Sequence, residues 1–485
     1  MRRFRFFAVF FRVGLACGWI AAGVFLTACS VPAPPDKPVA ANGKNGGKHA
    51  AETPADDPAS VKAFDVPGAI VKKGEAGNIT LLDLSQTNAG DGILVETDDE
   101  GKIVQNHLLG LPALDRLALE GANFSDTAID AIAEHPTLRV VSLENTDVTD
   151  DGVEKLATMK NLVLVNLRRT QITDDAVQFL KGLPKLKELD IRFNDQITDA
   201  ALKHLPGMDG LRTLRLEGTA VTDEGLAPIG QLKNLTHLTI RGNQFGDDGI
   251  ARMQGLTTVL DELKEERGED EPITGEDLAP HQNLKHLTTL GLDDTMITDE
   301  GLKMLSANKD LQALFVRGTG LADDDLAELK PFTRMQRLYL RNSWVMGPGL
   351  EHLLVMPDLT DLDLSETDTT DEGLAHIGRM SKLKWLGLWA TQITDEGMAH
   401  LANLKDLEEL NLENTLVSDE GAKHLADLPK LETLNVARTQ ITDESLTTLA
   451  GIKSLRDIDL SNNESLSEEA VTQLREALPE AKVKW

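Results

Sequence analysis

Apolar residues recur along most of this chain in a short unit that combines two spacings. In residues 383–406, Leu383, Leu386 and Leu388 follow the pattern LxxLxL, which alternates as in a short strand with two distinct faces. Thr394 then precedes two carboxylates, a helix-start signal, and apolar residues at helical spacing follow it. The pattern predicts one strand and one helix in a unit of 24 residues, which is too small to bury its own apolar face.

The unit repeats at a nearly constant interval. Its first apolar position falls at Leu114, Leu138, Leu162, Leu186, Leu211, Leu235, Leu287, Leu311, Met335, Leu359, Leu383, Leu407, Leu431 and Leu455. The helix starts repeat with it, as in VTDEGL at 221–226 and ITDEGL at 297–302. A period in this range predicts a stacked solenoid, in which each unit buries its apolar face against its neighbours.

Over residues 78–485 these units resemble the leucine-rich repeat family, especially the helix-bearing subtype whose repeats read xITDxGLxxL. The resemblance implies an α/β solenoid with a curved parallel sheet on its concave face and helices on its convex face. In that family the concave face commonly binds partners. The chain departs from the subtype after each strand, where threonine or asparagine replaces cysteine. We interpret this residue as an inward turn residue whose polar atom satisfies buried backbone groups.

The first 28 residues have the features of a secretory signal. Four arginines precede an apolar run at 13–28 that ends in small residues. The sequence LTAC at 26–29 resembles the bacterial lipoprotein signal, which implies cleavage before Cys29 and acylation of that residue. Ser30 resembles sorting to the outer membrane rather than the inner one, if the cell has two. An uncleaved membrane anchor is the alternative, although the run is slightly short of a full span.

Composition predicts the parts that flank the repeats. Residues 29–77 are rich in Pro, Ala, Gly, Asn, Asp and Lys and predict a disordered tether. Residues 78–113 predict an N-terminal cap that includes a hairpin at 93–104. Residues 479–485 predict a C-terminal cap with a last short strand, in which Trp485 covers the final layer.

Residues 255–286 form an irregular acidic interruption of the repeats. Between Leu235 and Leu287 lie 52 residues, four more than two units, and no LxxLxL pattern survives. A helical pattern continues past Leu256, and acidic residues then crowd 261–271. We expect a lengthened helix and a degraded strand that divides the solenoid into two blocks, with the acidic stretch as a solvated loop. A calcium site is the alternative, but its ligands lack loop spacing.

Charge and motifs narrow the classes of function. The chain has 49 basic and 79 acidic residues, a net charge of −30. Loss of residues 1–28 removes four arginines and no acid, which leaves 45 basic residues and a net charge of −34. Such a charge disfavours nucleic acid as a partner. Nucleotide-binding and hydrolase motifs are missing from the sequence, so it predicts no enzyme and no cofactor. Cys29 is the one cysteine of the mature chain, so no disulfide or thiolate zinc site is predicted.

The side chains between the inner leucines are expected on the open face of the sheet. The predicted partner-binding residues are Phe315, Arg317, Arg337, Tyr339, Arg341, Trp385 and Trp389. Exposed aromatic rings with arginines are typical of binding hot spots. We expect Asp361, Asp363 and Ser365 to lie between the aromatic groups and pair with the arginines. The alternative is that neighbouring strands stack rings and pair charges for local stability alone.

The leading hypothesis is therefore a lipid-anchored envelope protein that binds another protein through its concave face. Arginines beside aromatic rings suit an acidic or amphipathic segment of the partner. A glycan-binding lipoprotein is the alternative, because Trp385, Trp389 and Tyr339 offer flat apolar surfaces to sugar rings. An enzyme is disfavoured, because no nucleophile or acid–base constellation repeats or converges.

The anchor gives a first prediction. Replacement of Cys29 by Ser removes the thiol that lipidation requires, so fatty-acid labelling of the protein in cells should be lost. The wild-type chain, labelled in parallel, serves as the control. Label that persists on the Cys29→Ser variant would contradict the lipoprotein assignment.

Overall fold

The computed structural model describes residues 53–100, 102–121, 123–268 and 271–485. The predicted signal peptide, Cys29 and the first part of the predicted tether lie outside the described residues. The strands are β1 Ile70–Lys73, β2 Ile79–Asp83, β3 Val95–Thr97, β4 Ile103–Asn106, β5 Arg116–Ala118, β6 Val140–Ser142, β7 Leu164–Asn166, β8 Glu188–Asp190, β9 Thr213–Arg215, β10 His237–Thr239, β11 Thr289–Gly291, β12 Ala313–Phe315, β13 Arg337–Tyr339, β14 Asp361–Asp363, β15 Trp385–Gly387, β16 Glu409–Asn411, β17 Thr433–Asn435, β18 Asp457–Asp459 and β19 Lys482–Lys484.

Helices alternate with these strands. The α-helices are α1 Pro58–Ala63, α2 Asp126–Ala133, α3 Asp150–Leu156, α4 Asp174–Leu180, α5 Asp199–Leu202, α6 Asp247–Gln254, α7 Thr257–Arg267, α8 Gly275–Leu278, α9 Asp299–Lys303, α10 Asp371–Ile377, α11 Asp395–Leu401, α12 Asp419–Ala422, α13 Asp443–Gly451 and α14 Glu468–Ala477. The 3₁₀ segments are Asp91–Ile93, His107–Gly110, Asp223–Gly225, Ala227–Gln231, Ala279–His281, Asp324–Leu329, Pro348–Val355 and Lys423–Asp427.

The predicted solenoid is confirmed. Within the described residues, β1, β2 and β5–β19 form one 17-stranded sheet, whose strands are parallel from β2 onward. Neighbouring strands pair in register, so that Leu362 lies beside Leu386 and Leu386 beside Leu410. Leu386 is fully buried, as its inward assignment requires. One continuous apolar core runs between the sheet and the helices from Phe64 to Leu478.

The aspartate at the start of most helices holds the next unit in place. Asp371 Oδ1 accepts the backbone N–H of Thr394 at 2.9 Å, and its Oδ2 accepts the Thr394 hydroxyl at 2.6 Å. The same two contacts join Thr149 to Asp126, Thr173 to Asp150, Thr198 to Asp174, Thr222 to Asp199, Thr298 to Asp247, Ser418 to Asp395, Thr442 to Asp419 and Ser467 to Asp443. We call this repeated contact the aspartate clamp.

The aspartate clamp explains the glycine of the TDEG motif. The clamp carboxylate of one unit packs against the glycine of the next, so a side chain there would collide with it. A Cβ at Gly249, for example, would lie 2.6 Å from Asp223 Oδ1. Where serine takes this place, at Ser445, its hydroxyl donates to Asp419 instead.

Two turn residues follow each strand. The first adopts a left-handed conformation, with φ between 52° and 60° at ten non-glycine positions such as Arg169, Glu366 and Ala390. The second is the threonine or asparagine of the sequence pattern. The Thr391 hydroxyl donates to the carbonyl of Leu388 at 2.6 Å, and the threonines of other units repeat this contact. Its predicted role in satisfying buried backbone groups is therefore confirmed.

The predicted tether is wrong at its C-terminal end. From residue 53 the chain already belongs to the cap, because α1 packs on it and β1 pairs antiparallel with β2. Phe64 is buried there, and Asp56 accepts the backbone N–H of Ile79 at 2.7 Å. One aromatic residue and one carboxylate thus order a segment whose average composition resembles a linker. The predicted hairpin is confirmed as β3 and β4.

The interruption does not divide the solenoid. No strand of the described residues lies between β10 and β11, which pair directly with each other. The predicted lengthened helix is also wrong, because Gly255 adopts φ 71° and ends α6. A separate helix, α7, then carries the acidic residues 261–266 with no fully buried side chain. The interruption therefore adds helical structure on one side of a continuous sheet.

The C-terminal cap is right in its strand and wrong in its tryptophan. β19 pairs in parallel with β18 as predicted. Trp485, however, keeps 47% of its surface exposed, whereas Val471 and Leu474 of α14 are buried over the last layer. Amphipathic α14 closes the core, so the final tryptophan is not needed for this role.

The expectation of one helix per unit also fails in part. Among the described residues, three units have 3₁₀ segments in place of an α-helix: Asp223–Gly225 with Ala227–Gln231, then Asp324–Leu329, and Pro348–Val355. Pro228 and Pro348 lie in the first turn of two of these segments, where proline lacks a backbone donor. The aspartate clamp survives there in altered form, since Asp323 accepts backbone N–H groups of the next unit.

The aspartate clamp predicts a stability defect. Asp371→Ala leaves the backbone N–H and the hydroxyl of Thr394 without their acceptor, which should lower the free energy of unfolding by about 1–3 kcal/mol. Urea denaturation measures the change. Glu372→Ala is the matched control, because Glu372 is the exposed neighbour in the same turn. Equal effects of the two variants would show that the clamp contributes nothing beyond ordinary helix-start charge.

Candidate functional site on the sheet face

The register of the sheet places its outward side chains in three columns. The first and third residues of each strand point away from the core, and a further outward residue follows two positions later. Neighbouring members of a column belong to strands about 4.8 Å apart. We call the outward side chains of β9–β15 and of the residues just after them the central face.

Aromatic residues stack on the central face. Phe315 and Tyr339 are partners in register, with ring centroids 4.8 Å apart and planes inclined by 10°. The ring of Trp385 lies 6.0 Å from that of Tyr339 at an angle of 39°, across the intervening strand β14. These rings are half-buried, because much of each face is covered by a neighbour. The rings of the predicted partner-binding residues are therefore only partly open to solvent.

Two arginines lie over aromatic rings of the central face. The guanidinium of Arg317 is 4.5 Å from the ring centroid of Tyr339, and that of Arg341 is 4.6 Å from the ring centroid of Trp389. Both are within the range of a cation–π contact. The arrangement fixes the position of the positive charges on the face.

The carboxylates that hold the arginines are only partly those predicted. Arg317 Nε lies 3.8 Å from Asp363 Oδ2, as expected. Arg341 Nε instead donates to Glu366 at 2.7 Å. Glu366 belongs to the left-handed turn after β14, and that backbone conformation directs its side chain to the face. Asp361 accepts the hydroxyl of Thr360.

The structure thus brings the predicted residues together in two groups. Phe315, Arg317, Tyr339 and Trp385 form one contact cluster, and Arg341 with Trp389 forms a second beside it. Arg337 is separate, in the first column, and is the exposed member of the set. Trp344, which is 67% exposed, follows the turn after β13 and lies beyond these columns.

A charged ladder next to the aromatic cluster was not predicted as a site. Arg241 donates to Glu217 at 2.6 Å and to Asp293 at 2.9 Å. Burial alone would raise the pKa of Glu217, but its contact with Arg241 and the charge of Arg192 hold that pKa below its usual value. Burial keeps the pKa of Asp293 above its usual value despite the hydrogen bonds from Arg317 and Arg241. Within the ladder, Arg241 is therefore held by two carboxylates, one on each side.

Beside the ladder lies a groove of about 610 Å³, lined by Phe193, Glu217, Gly218, Arg241, Gly242, Asp293, Asp294, Arg317, Gly318, Arg341, Asn342 and Glu366. The left-handed turns form the floor of the groove. Among the turns that line it, three have glycine, at Gly218, Gly242 and Gly318, and the others have larger residues. A Cβ at Gly242 would meet no atom within 4 Å, so packing does not require glycine there. The run of glycines in an otherwise polar column is the sequence signal that could have located this groove.

Comparisons with known proteins agree with this geometry. The sequence pattern of the family described as "Leucine Rich repeat" matches residues 134–157, 182–205, 231–252, 283–306 and 427–450. Together with the parallel sheet and its repeated 24-residue units, this shows that the chain belongs to the leucine-rich repeat family. The comparison with curated proteins returned no match.

Solved structures are similar in fold. An internalin from Listeria monocytogenes superposes with a TM-score of 0.53 and 21% sequence identity, over 77% of this chain and 94% of the internalin. A leucine-rich repeat protein from Leptospira interrogans gives a TM-score of 0.52 and 19% identity, over 88% of this chain and 98% of its own. No helix in the described part of the chain has the length and apolar composition needed to cross a membrane.

Tyr339 is the one tyrosine of the chain, so its titration reports directly on the aromatic cluster. Burial, followed by the negative charge of Asp361, raises its pKa above the ordinary value despite the nearby arginines. Phe315→Ala uncovers the ring and should return the pKa toward the ordinary value, measured from the ultraviolet absorbance of tyrosinate. Trp389→Ala serves as the control. A wild-type titration at or below the ordinary pKa of tyrosine would contradict the stacked arrangement.

Proposed function

We propose that this leucine-rich repeat protein is a lipid-anchored envelope protein that binds another protein through its central face. Leucine-rich repeat proteins commonly act as scaffolds or receptors for proteins, and the fold is typical of non-enzymatic interaction modules. The anchoring part of the proposal rests on LTAC at 26–29 and on Ser30, which favours the outer membrane if the cell has two.

The observation that carries the proposal is a local reversal of charge. The outward positions of β9–β13 and of their turns include five arginines, Arg215, Arg241, Arg317, Arg337 and Arg341, and three carboxylates, Glu217, Asp293 and Asp294. The whole chain, by contrast, carries a net charge of −30. A basic surface on an acidic protein attracts a partner segment of complementary, negative charge.

The aromatic cluster supplies the apolar part of this surface. Half-buried rings that are already stacked lose little further freedom on binding, and Trp, Tyr and Arg are the residue types that dominate binding energy in protein interfaces. The combination suits an acidic or amphipathic protein segment, with its apolar residues on the rings and its carboxylates near the arginines.

The same stacking makes the glycan alternative less suitable. A sugar ring packs on a free aromatic face. Here Phe315 and Tyr339 cover each other, and the guanidinium of Arg341 occupies a position over the ring of Trp389. Protein binding therefore accounts for more of the arrangement than glycan binding does.

Capture of the partner on cells tests the proposal. The full-length protein is crosslinked on intact cells, and the captured proteins are identified. Tyr339→Ala and Trp389→Ala should each weaken the interaction by about thirtyfold, because truncation of a hot spot costs about 2 kcal/mol or more. The melting temperature should change little.

Trp485→Ala is the matched control, since this tryptophan is exposed at the far edge of the sheet. If the two face variants melt well below wild type yet capture the same proteins, the rings are packing residues and the functional surface lies elsewhere.

A further inference from the structure

A basic depression lies on the central face, in the first column and away from the groove. His237, Thr289, Ala313 and Arg337 occupy equivalent positions on four consecutive strands. His237 and Arg337 are therefore about 14 Å apart at their Cα atoms. The two residues between them are small, so the long side chains at either end border a low floor.

The positive charges around this floor act on one another. The pKa of His237 is lowered, first by partial desolvation on the packed sheet and then by the positive charges of Arg215 and Arg337. The imidazole therefore senses both guanidinium groups, one from each side. The floor itself carries no carboxylate, and Asp361 is the in-register neighbour of Arg337 on the far side of that arginine.

Within the described part of the chain, the two arginines at this place make no side-chain hydrogen bond, whereas Nδ1 of His237 lies 2.9 Å from the Thr236 hydroxyl. The exposed side chain of Arg337 makes no hydrogen bond and no ion pair with any residue that the structure describes, whereas its backbone N–H donates to Gln312. Arg215 Nη1 forms an ion pair with Glu188 at 3.9 Å, which is beyond hydrogen-bond distance. Arg241, in contrast, is satisfied by two carboxylates, and Arg341 by Glu366.

We propose that Arg215, His237 and Arg337 form an anion subsite that receives a carboxylate side chain of an acidic protein segment, seated over Thr289 and Ala313. This inference rests on the proposed function and adds the chemistry of the partner. Charge complementarity argues for the occupant, because the two arginines provide hydrogen-bond donors that the chain itself leaves unused. Apolar residues next to that carboxylate would then lie against the ring of Phe315, which is in the adjacent column on the same strand as Ala313.

A short acidic peptide is favoured over nucleic acid as the occupant. The surrounding chain is strongly negative and repels nucleic acid as a whole. A short peptide carries few charges in total and meets less of that repulsion when it presents a carboxylate to this floor. The chemistry recognised is therefore that of a glutamate or aspartate within a protein segment.

The test uses the purified full-length protein and a fluorescent hexaglutamate peptide at low ionic strength. Arg337→Gln and Arg215→Gln should each weaken binding by about tenfold, as expected for a lost hydrogen bond to a charged group. Arg438→Gln removes the same charge from an exposed arginine several units away and should leave binding nearly unchanged. These arginines lie at the surface, so the variants should fold normally.

A second readout locates the peptide. Proton titration of His237, followed by NMR of histidine-labelled protein, should show a higher pKa with hexaglutamate bound, because the incoming carboxylate offsets the two arginines. Absence of binding, or equal loss in the Arg337→Gln and Arg438→Gln variants, would overturn the proposal. An oligonucleotide or a uronic-acid oligosaccharide that binds the subsite more tightly than hexaglutamate would also overturn it.

The outcome is separable from that of the proposed function. If hexaglutamate binds at His237 but crosslinking on cells captures no protein whose binding depends on Tyr339 and Trp389, the proposed function fails and the anion subsite stands. If capture depends on those rings while hexaglutamate does not bind, the subsite fails and the proposed function stands.

Discussion

The structure depends on the hydrogen bonds that an aspartate makes to the unit after its own. A single unit of 24 residues has a strand of three residues and at most a short helix, neither of which is stable alone. Apolar packing holds the units together but does not by itself specify their spacing. The carboxylate does so, because it accepts two donors whose positions are set by the helix start of the neighbour. Registration of the helices in turn keeps the strands in register and the outward columns straight.

The repeat architecture could be predicted from the sequence because the period is long, regular and carried by leucines with one role. The 24-residue spacing implies register as well as fold, which is why Phe315 and Tyr339 could be placed side by side. The aspartate clamp could not be distinguished in the same way. Threonine followed by acidic residues is also the ordinary signal of a helix start, so capping within one unit accounted for it. The hydrogen bonds from Thr394 to Asp371 show that the contact crosses units, and the packing of Gly249 against Asp223 agrees with this.

The candidate site could be predicted from the sequence to the same extent as the fold. Column membership follows from alternation along the strand, and it placed Arg317 and Tyr339 correctly on one face. Contacts that depend on turn conformation were not accessible. Glu366 reaches Arg341 because a non-glycine residue adopts φ 55°, and the groove exists because Gly242 occupies the same kind of turn without a side chain. Likewise, the order of the segment around Phe64 comes from one buried ring rather than from average composition.

The two edge strands of the sheet, β1 and β19, affect whether two molecules can associate edge to edge. β1 is exposed along its length and ends in Lys72 and Lys73, while β19 at the other end presents exposed Lys482 and Lys484. An open strand edge can pair with the edge of another chain, and a sheet of this length would then extend into a filament. Here both edges carry positive charge on a chain that is otherwise negative, so edge-to-edge contact sets like charges against each other. Molecules crowded on one surface would thus stay separate, with their faces free.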